Sequence, residues 1–346
     1  MQRIPQSPPQ ILPVPEGTKR PLWSVMIPAY NCSVYLPQAI ESVLKQDRGP
    51  ELMQIEVIDD FSTDADVEQL VECVGKGRVA YFRQPQNVGS LRNFETCINH
   101  SRGKYVHLLH GDDAVEDNFY NIIEGLFEKY PTAGAAFTNF SYIDGNGVSV
   151  PMTNSQLLEE PGIIHDFLFR IAKRQLIQPP AIVVKREVYE NLGGFFAAHF
   201  GEDWEMWSRI SSRYPVAYSP MRMACYRVSN IQSISQQSFL TGQNIRDIIK
   251  VIDIIQDYIP EARKKEVKNY ALAYYAIYCI KVANSLLKSN RKAAFIQAKG
   301  AFKMHKNMRT MYWVVRFYLM HLFRYKEIQL MTDKIRHRIS ATANHH

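Results

Sequence analysis

Short β-branched segments that alternate with helical periodicity dominate the first 110 residues. Four runs have the length and composition of buried strands, namely SVMIPAY (24–30), QIEVIDD (54–60), RVAYFR (78–83) and KYVHLLH (104–110). Apolar residues at helical spacing between them predict three helices, over 34–46, 64–75 and 89–101. Because repeated strand–helix–strand units form mostly parallel sheets with helices on both faces, the sequence predicts an α/β, Rossmann-like fold.

Polar residues follow three of these strands directly. Tyr30 and Asn31 come after the first strand, Asp59 and Asp60 end the second, and residues 111–113 follow the fourth. Ligands of open α/β sheets bind outside the carboxyl ends of the strands. We therefore expect these residues to line a ligand site at one edge of the sheet.

The chain divides into three parts. Residues 1–22 are rich in Pro and Gln and predict an extended or disordered N-terminal arm. Residues 23–238 form the predicted α/β domain, and residues 239–346 keep helical periodicity throughout, which predicts a helical C-terminal region. We expect the helices of that region to break at Pro260, Ser289-Asn290 and Asn307.

Composition excludes several classes of protein. Of 346 residues, 46% are hydrophobic and 22% charged, which argues against a disordered or fibrous chain. The five cysteines contain no C-x-x-C pair, so neither a disulfide scaffold nor a structural zinc site is expected. Prolines near the N-terminus interrupt any signal-peptide helix, and no run of about 20 apolar residues occurs. We therefore expect a cytoplasmic protein or one peripheral at the inner face of the cell membrane.

Positive charge is concentrated at the C-terminal end. Residues 241–346 contain 20 Lys and Arg against 7 Asp and Glu, whereas the whole chain has a net charge of +7. The aromatic and basic segment within 300–340 is typical of a helix at an anionic membrane surface, but aromatic stripes at helical spacing favour the simpler interpretation of a core-facing helix of the C-terminal bundle. Apolar helices near 270–285 and 311–323 offer a homodimer contact, and nucleic acid is not an expected partner.

Five short motifs occur in a fixed order along the predicted domain. They are VMIPAYN (25–31), EVIDDFSTD (56–64), NVGSLRN (87–93), HGDD (110–113) and GEDWEMW (201–207). In order, spacing and structural context the segment from 24 to about 235 resembles the family 2 glycosyltransferases of the GT-A fold. The resemblance implies inverting transfer of a sugar from a nucleotide-diphosphate donor, a UDP-sugar, to a hydroxyl acceptor. It points to polysaccharide or cell-envelope glycan synthesis, with a carbohydrate or lipid-linked glycan as acceptor.

A nucleotide-sugar donor presents a base, a ribose and a diphosphate to the site. Asp59 and Asp60 can accept hydrogen bonds from a base N–H or a ribose hydroxyl, while Pro28 and Tyr30 offer apolar contact to the ring. The resemblance places Arg92 near the base. The predicted donor-binding residues are Pro28, Tyr30, Asn31, Asp59, Asp60, Arg92 and Asp112. Ser62 and Asp64 are explained more simply as caps of the following helix.

Asp112 and Asp113 predict a metal site. Two adjacent carboxylates repel one another unless a cation or hydrogen-bond donors compensate them, so Mn²⁺ or Mg²⁺ bridging them to the diphosphate is the economical interpretation. His110 stands where the family often has a first acid, and the choice between Asp112 and Asp113 as metal ligand stays open. Ser229 stands where many members have a histidine, and we expect Arg227 to take over part of its work.

Glu202 and Asp203 are the predicted catalytic pair. In the resembling enzymes the second acid of this motif is the base, so Asp203 is expected to take the proton of the attacking hydroxyl in a single inverting displacement. Trp204 and Trp207 are candidates for stacking on a sugar, with one of them expected in the core. Gly193-Gly194 is either a helix stop or a close approach to the donor sugar.

An alternative function is a catalytically weak sugar-nucleotide binding or scaffolding protein with a membrane-associating basic tail. His110 and Ser229 favour it, because they depart from the common motifs of the family. Asp112, Asp113 and Asp203 favour an enzyme, because three converging carboxylates cost desolvation energy that an inactive site has no reason to bear.

Overall fold

The computed structural model describes residues 2–152, 154–228 and 234–322. Within these ranges nine strands form one mixed sheet: β1 (Trp23–Ala29), β2 (Met53–Asp59), β3 (Ala80–Arg83), β4 (Tyr105–Leu108), β5 (Ala114–Val115), β6 (Ala135–Ile143), β7 (Gly162–Ile163), β8 (Ile182–Lys185) and β9 (Val216–Arg227).

The helices of the same ranges flank the sheet and then continue beyond it. They are α1 (Leu36–Leu44), α2 (Val67–Gly75), α3 (Ser90–His100), α4 (Phe119–Lys129), α5 (Phe167–Ile171), α6 (Arg186–Leu192), α7 (Glu202–Ser211), α8 (Ile234–Thr241), α9 (Gln243–Ile255), α10 (Glu261–Leu286), α11 (Arg291–Met304) and α12 (Met308–Leu322). The α/β sheet followed by a helical C-terminal region is the architecture that the sequence predicts.

The strand order is β3-β2-β1-β4-β8-β6-β9-β5, and β7 pairs with β9. Strands β3, β2, β1 and β4 are parallel, which confirms the predicted parallel arrangement for this half of the sheet. In the other half, β8 runs antiparallel to both β4 and β6, while β6 and β9 are parallel. The sheet is therefore mixed, because the regular strand–helix alternation stops after β4.

Strand register places the polar loops side by side. Every residue of β1 is buried, and Ala29 at its end pairs with Asp59 at the end of β2. The backbone N–H of Asp60 donates to the Ala29 carbonyl at 2.8 Å. Strand β4 lies on the other side of β1 and runs parallel to it, so the carboxyl end of β4 lies at the same edge of the sheet. The expected ligand edge is thus formed by the ends of β2, β1 and β4.

The N-terminal arm lies against the domain without helix or strand over residues 2–12. The Gly194 N–H donates to the Pro9 carbonyl at 2.8 Å, and the Ala197 N–H donates to the Pro5 carbonyl at 3.0 Å. Ile11 is only 2% exposed and belongs to the main hydrophobic cluster. The arm is therefore extended along its path and contributes to the core.

Gly193 ends α6 with a φ of 79°, which confirms the predicted helix stop. A Cβ added to Gly193 would lie 2.8 Å from the Pro8 side chain, so a larger residue would displace the arm. The close approach that the glycine pair permits is therefore made by residues 8 and 9.

The predicted breaks in the C-terminal region are confirmed. Pro260 precedes α10, and the Asn290 side chain accepts a hydrogen bond from the Ala293 N–H at 3.0 Å at the start of α11. The Asn307 side chain accepts one from the Thr310 N–H at 2.7 Å in the first turn of α12. The two asparagine side chains satisfy backbone donors that have no partner within the helix.

The helical region shares its core with the sheet domain. Trp204 of α7 packs against Tyr275 of α10 with ring centroids 4.8 Å apart. Ile248 and Val251 of α9 lie in the same hydrophobic cluster as Trp204 and are buried. Helix α7 is thus enclosed from the side of the C-terminal region. None of the described helices has the length and apolarity needed to cross a membrane.

We expect Ile11→Ala to lower the free energy of unfolding by about 2–5 kcal/mol, because it opens a cavity in the main core. The matched control is Leu12→Ala at a position that is 61% exposed, where the change should stay within about 0.5 kcal/mol. Urea denaturation followed by circular dichroism measures both. Equal stabilities of the two variants would show that the arm does not pack in solution.

Candidate active site

The loop after β1 is turned outward by Asn31, which has a left-handed backbone with a φ of 48°. Its side-chain oxygen accepts a hydrogen bond from the Thr63 N–H at 2.8 Å, and its own N–H donates to the Ser62 hydroxyl at 2.9 Å. These bonds compensate a backbone conformation that is costly for most residues other than Gly. Tyr30 is left 52% exposed at the rim of the site.

The predicted helix caps at Ser62 and Asp64 are wrong. Helix α2 begins later than expected, and Asp66 caps it by accepting a hydrogen bond from the Gln69 N–H at 3.0 Å. Ser62 instead binds Asn31, and Asp64 accepts a bond from the Ser33 N–H at 2.9 Å. Both residues therefore tie the loop after β2 to the loop after β1.

Asp59 is completely buried, and protein groups engage both of its oxygens. One oxygen accepts bonds from the Ser62 N–H at 3.0 Å and from its hydroxyl at 2.5 Å. The other accepts from the Tyr81 hydroxyl at 3.0 Å and from Arg83 at 2.7 Å. The guanidinium of Arg83 also lies 4.6 Å from the ring centroid of Phe61. Asp59 thus positions the guanidinium of Arg83 near the rim of the site. The sequence motifs did not indicate this arginine.

Asp60 holds the loop that begins α3. Its carboxylate accepts bonds from the Val88 N–H at 2.7 Å, the Gly89 N–H at 2.9 Å and the Asn87 amide at 3.0 Å. Burial nevertheless raises the pKa of Asp60 above its usual range. The guanidinium of Arg3 donates to the Asn87 side chain, so the N-terminal arm reaches this loop as well.

Arg92 is occupied within the protein. Its guanidinium donates to Glu95 at 2.6 Å and to the Gln2 carbonyl at 2.9 Å. Of the two arginines, Arg83 is the one bound to Asp59 in the described structure.

The HGDD loop packs tightly against the end of β1. The Gly111 N–H donates to the carbonyl of Pro28, a buried residue of β1, at 3.1 Å. A Cβ added to Gly111 would come within 2.8 Å of the Cys32 sulfur, so a larger residue would push the loop away. Pro28 is therefore buried in the sheet and contacts the HGDD loop through its carbonyl. The close approach of this loop requires a glycine at position 111.

His110, Asp112 and Asp113 bring one ligand atom each within 4.8 Å of one another. One carboxylate oxygen of Asp113 is buried without a hydrogen-bond partner among the described residues. Burial, together with the charge of Asp112, raises the pKa of Asp113 well above its usual range. Burial also lowers the pKa of His110, which leaves a neutral imidazole of the kind that binds metals.

These three residues fit a divalent cation, because a cation would satisfy the unpaired Asp113 oxygen and offset the repulsion between the carboxylates. Two carboxylates with an imidazole suit Mn²⁺ better than Mg²⁺, which prefers oxygen ligands alone. His110 therefore extends the acid pair into a three-residue cluster.

Arg227 binds the HGDD loop through both its backbone and its side chain. Its backbone N–H donates to Asp113 at 2.8 Å, and its guanidinium donates to the Asp112 carbonyl at 2.7 Å and to Gln38 at 2.5 Å. The side chain is buried over the Tyr35 ring. Arg227 thus contacts the loop of Asp112 and Asp113, and its part in the work of a metal- or phosphate-binding histidine stays a prediction. Ser229 lies outside the described residues.

Glu202 and Asp203 open helix α7. Asp203 accepts hydrogen bonds from the Trp204 N–H at 2.7 Å and from the Gln175 amide at 2.6 Å. Burial raises the pKa of Asp203 to about 6. Burial and the neighbouring charge of Asp203 raise the pKa of Glu202 well above its usual range. The two neighbouring acids therefore both have raised pKa values, and Asp203 is a carboxylate at neutral pH.

A small cavity of about 10 Å³, with room for roughly one water molecule, joins the two motifs. His110, Glu202 and Asp203 all line it, and the His110 ring stacks on Phe94 with centroids 5.1 Å apart. The fold thus brings the acid pair of α7 to the same cavity as the histidine of the HGDD loop.

Both tryptophans of α7 are buried. The Trp204 indole donates to the Ile171 carbonyl at 2.6 Å, which confirms the expectation that one of the two belongs to the core. Trp207 lines the cavity beside Glu202 and Asp203, but it is only 3% exposed and does not offer an open face to a sugar.

His107 is also buried, and one of its ring nitrogens lies 3.0 Å from the Pro180 carbonyl.

Residues 24–193 match the model of glycosyl transferase family 2, which supports the family that the motifs indicate. An uncharacterised protein of Mycobacterium tuberculosis is 26% identical over 220 residues, which are 60% of this chain and 67% of that protein. Chondroitin synthase of Escherichia coli is 31% identical over 155 residues, which are 42% of this chain and 22% of the synthase. The chain thus spans about a fifth of this larger relative.

Solved structures of low sequence identity share the fold. Residues 1–349 of Staphylococcus aureus TarS in complex with UDP-GlcNAc align with a TM-score of 0.63 at 16% identity, over 82% of this chain and 80% of that one. The mannosyltransferase PcManGT of Pyrobaculum calidifontis, in complex with GDP-Man and Mn²⁺, aligns with a TM-score of 0.55 at 15% identity, over 92% and 90%. Both alignments extend into the C-terminal helical region.

Proposed function

We propose that this glycosyltransferase transfers a sugar from a UDP-sugar to a hydroxyl acceptor with inversion, using a divalent cation. The observation that carries the proposal is the single cavity lined by His110 of the metal-type cluster and by the acids Glu202 and Asp203. A donor diphosphate bound at the metal-type cluster and an acceptor hydroxyl bound at the two acids would lie on opposite sides of the anomeric carbon of the donor sugar. That is the arrangement that a single displacement requires.

On the donor side, Asp112 and Asp113 would hold the cation, with His110 as third ligand. A bound cation supplies Lewis-acid stabilisation of the charge that grows on the leaving diphosphate. Tyr30 offers its exposed ring to the base, and Arg83 offers a cation fixed by Asp59. A UDP donor is supported by the fold of TarS, whose structure contains UDP-GlcNAc.

On the acceptor side, Asp203 would take the proton of the attacking hydroxyl. A carboxylate is the form that can do so, and a pKa of about 6 keeps it ionised at neutral pH while making it more basic than an ordinary aspartate. Burial and the charge of Asp203 raise the pKa of the neighbouring Glu202 well above its usual range. Asp203 is thus the proposed general base, with Glu202 as the second acid of the pair.

Polysaccharide synthesis is the process that we propose. It is supported by the similarity to chondroitin synthase, a polymer-forming enzyme by its name. A carbohydrate chain or lipid-linked glycan is the corresponding acceptor.

We also propose a peripheral membrane contact through α12. Val314 and Phe317 are buried toward the protein, whereas apolar side chains on the opposite face are exposed, namely Met308, Met311, Tyr312, Val315 and Leu319. Arg316 lies beside this face, with its guanidinium 5.1 Å from the Trp313 ring centroid. An exposed apolar face next to cations is the composition of an interfacial helix. The core-facing alternative explains only the buried half of α12.

Asp203→Asn should reduce transfer by about 10² or more, because it removes the base while leaving the donor site in place. The exposed Asp253→Asn on α9 serves as control and should keep full activity. Release of UDP from UDP-GlcNAc with an acceptor mixture, together with UDP affinity by calorimetry, measures both effects. An equal loss of UDP affinity would contradict the assignment of Asp203 as the base.

Activity should also depend on pH through the same group. Because protonated Asp203 cannot accept a proton, kcat/KM should fall about tenfold per pH unit below a pH of about 6 and level off above it. The residual activity of Asp203→Asn should lack this acid limb. A wild-type profile that stays flat from pH 5 to about 8 would contradict the proposed role.

Donor binding should depend on metal through Asp113. Calorimetric titration of UDP, GDP and dTDP with Mn²⁺ and after chelation should show metal-dependent binding of UDP alone. Asp113→Asn should abolish the metal dependence, because it removes the charge of the buried carboxylate that has an unpaired oxygen. Failure of all three nucleotides to bind would favour the scaffolding alternative, and an unaltered metal titration of the variant would exclude Asp113 as ligand.

Vesicle binding tests α12. The protein should sediment with phosphatidylserine-containing vesicles, and Leu319→Glu should weaken this about tenfold by placing a charge on the apolar face. Leu52→Glu is the control, since Leu52 is also exposed but lies before β2. Absence of vesicle binding by the unmodified protein would refute the membrane contact.

A further inference from the structure

Helix α10 and the first turn of α12 enclose a cleft of about 230 Å³ that the proposed chemistry does not use. We call it the tyrosine cleft, and its principal lining residues are Tyr270, Tyr274, Tyr278, Lys281, Arg309 and Thr310. A concave surface of aromatic rings with a few polar groups is typical of a ligand site.

The aromatic side of the cleft is a regular row. Tyr270, Tyr274 and Tyr278 follow one another at intervals of four residues, so they lie on one face of α10 along about 12 Å of its axis. Tyr270 is 50% exposed and Tyr274 is 37% exposed. Exposed aromatic rings in a row can pack against the apolar faces of consecutive sugar rings. The cleft therefore suits an oligosaccharide rather than a single small molecule.

The charge around the cleft is positive. Lys281 and Arg309 belong to its lining, and among the described lining residues none is acidic. Lys173 lies 5.3 Å from the ring centroid of Tyr270, and Arg174 lies 5.6 Å from that of Tyr274. Glu266 neutralises Lys173 through an ion pair of 2.6 Å. The remaining cations favour a ligand that carries negative charge.

Helix α10, which carries the tyrosine row, also contacts the residue that binds the proposed base. Tyr275 is buried beside Tyr274, and its hydroxyl accepts a hydrogen bond from the Gln175 N–H at 3.1 Å. The Gln175 side chain in turn donates to Asp203 at 2.6 Å. The helix that would hold the glycan is thus also the helix that supports the orientation of Asp203.

We infer that the tyrosine cleft binds the acceptor chain and that this chain is an anionic glycan, with carboxylate or phosphate groups held by Lys281 and Arg309. The inference rests on the proposed glycosyltransferase function and names the chemical class of its acceptor. The tyrosine rings hold the sugars behind the attacking one, and the two cations select for charge.

Calorimetry with the full chain tests this directly. The probes are a hyaluronan tetrasaccharide for carboxylate, a glycerol phosphate tetramer for phosphate, and neutral chitotetraose. At least one anionic probe should bind, and chitotetraose should bind at least tenfold more weakly. The probe that binds identifies the source of the charge. Failure of both anionic probes to bind, or equal binding of chitotetraose, would overturn the inference.

Variants locate the binding in the cleft. Lys281→Met, Arg309→Gln and Tyr274→Ala should each weaken binding of the anionic probe about tenfold. Lys299→Met removes an exposed charge of α11 outside the lining and should leave binding unchanged. Equal effects of Lys281→Met and Lys299→Met would show non-specific attraction to a basic region and would refute the cleft.

UDP affinity separates this inference from the proposed function. All four variants should bind UDP with Mn²⁺ as tightly as the unmodified protein, which also shows that they are folded. Metal-dependent UDP binding without glycan binding would overturn the tyrosine cleft alone. Absence of UDP binding by the unmodified protein would instead overturn the proposed function, on which this inference rests.

Discussion

The structure depends on how buried carboxylates are compensated at the edge of the sheet where β1, β2 and β4 end. Asp59 is balanced by Arg83 and by hydroxyl and amide donors, and Asp60 by three N–H groups of the loop before α3. Only one carboxylate oxygen of Asp113 accepts a hydrogen bond from the described residues. Since an unpaired buried carboxylate is costly, a cation bound at Asp113 would lower the free energy of this edge. The fully compensated acids therefore shape the edge, and the incompletely compensated one is the proposed metal ligand.

The C-terminal helices complete the environment of the catalytic helix. Trp204 packs on Tyr275, and the Tyr275 hydroxyl accepts a hydrogen bond from Gln175, the residue that also orients Asp203. Burial is the main cause of the raised pKa values of Glu202 and Asp203. The C-terminal helices therefore support the helix that carries both acids of the candidate active site.

The sequence predicted the features that depend on local pattern. Strand periodicity predicted the parallel half of the sheet, and Pro260, Asn290 and Asn307 correctly predicted the ends of helices, because such residues act on their own neighbours. The order of the motifs predicted the family. Features that depend on distant partners were not predictable. No local signal shows that Arg83 binds Asp59, that Ile11 enters the core, or that helices from the C-terminal region bury one side of α7. The tyrosine row was visible at positions 270, 274 and 278, but only the packing of α10 against α12 shows that it forms a cleft.

The raised pKa of Asp203 has a consequence for the end of each proposed catalytic cycle. A base that accepts a proton must also lose it before the next substrate arrives. With a pKa of about 6, protonated Asp203 is a strong enough acid to return its proton to water at neutral pH without a relay. The proposed base would thus be reset by the solvent alone, so turnover would end in the same charge state in which it began.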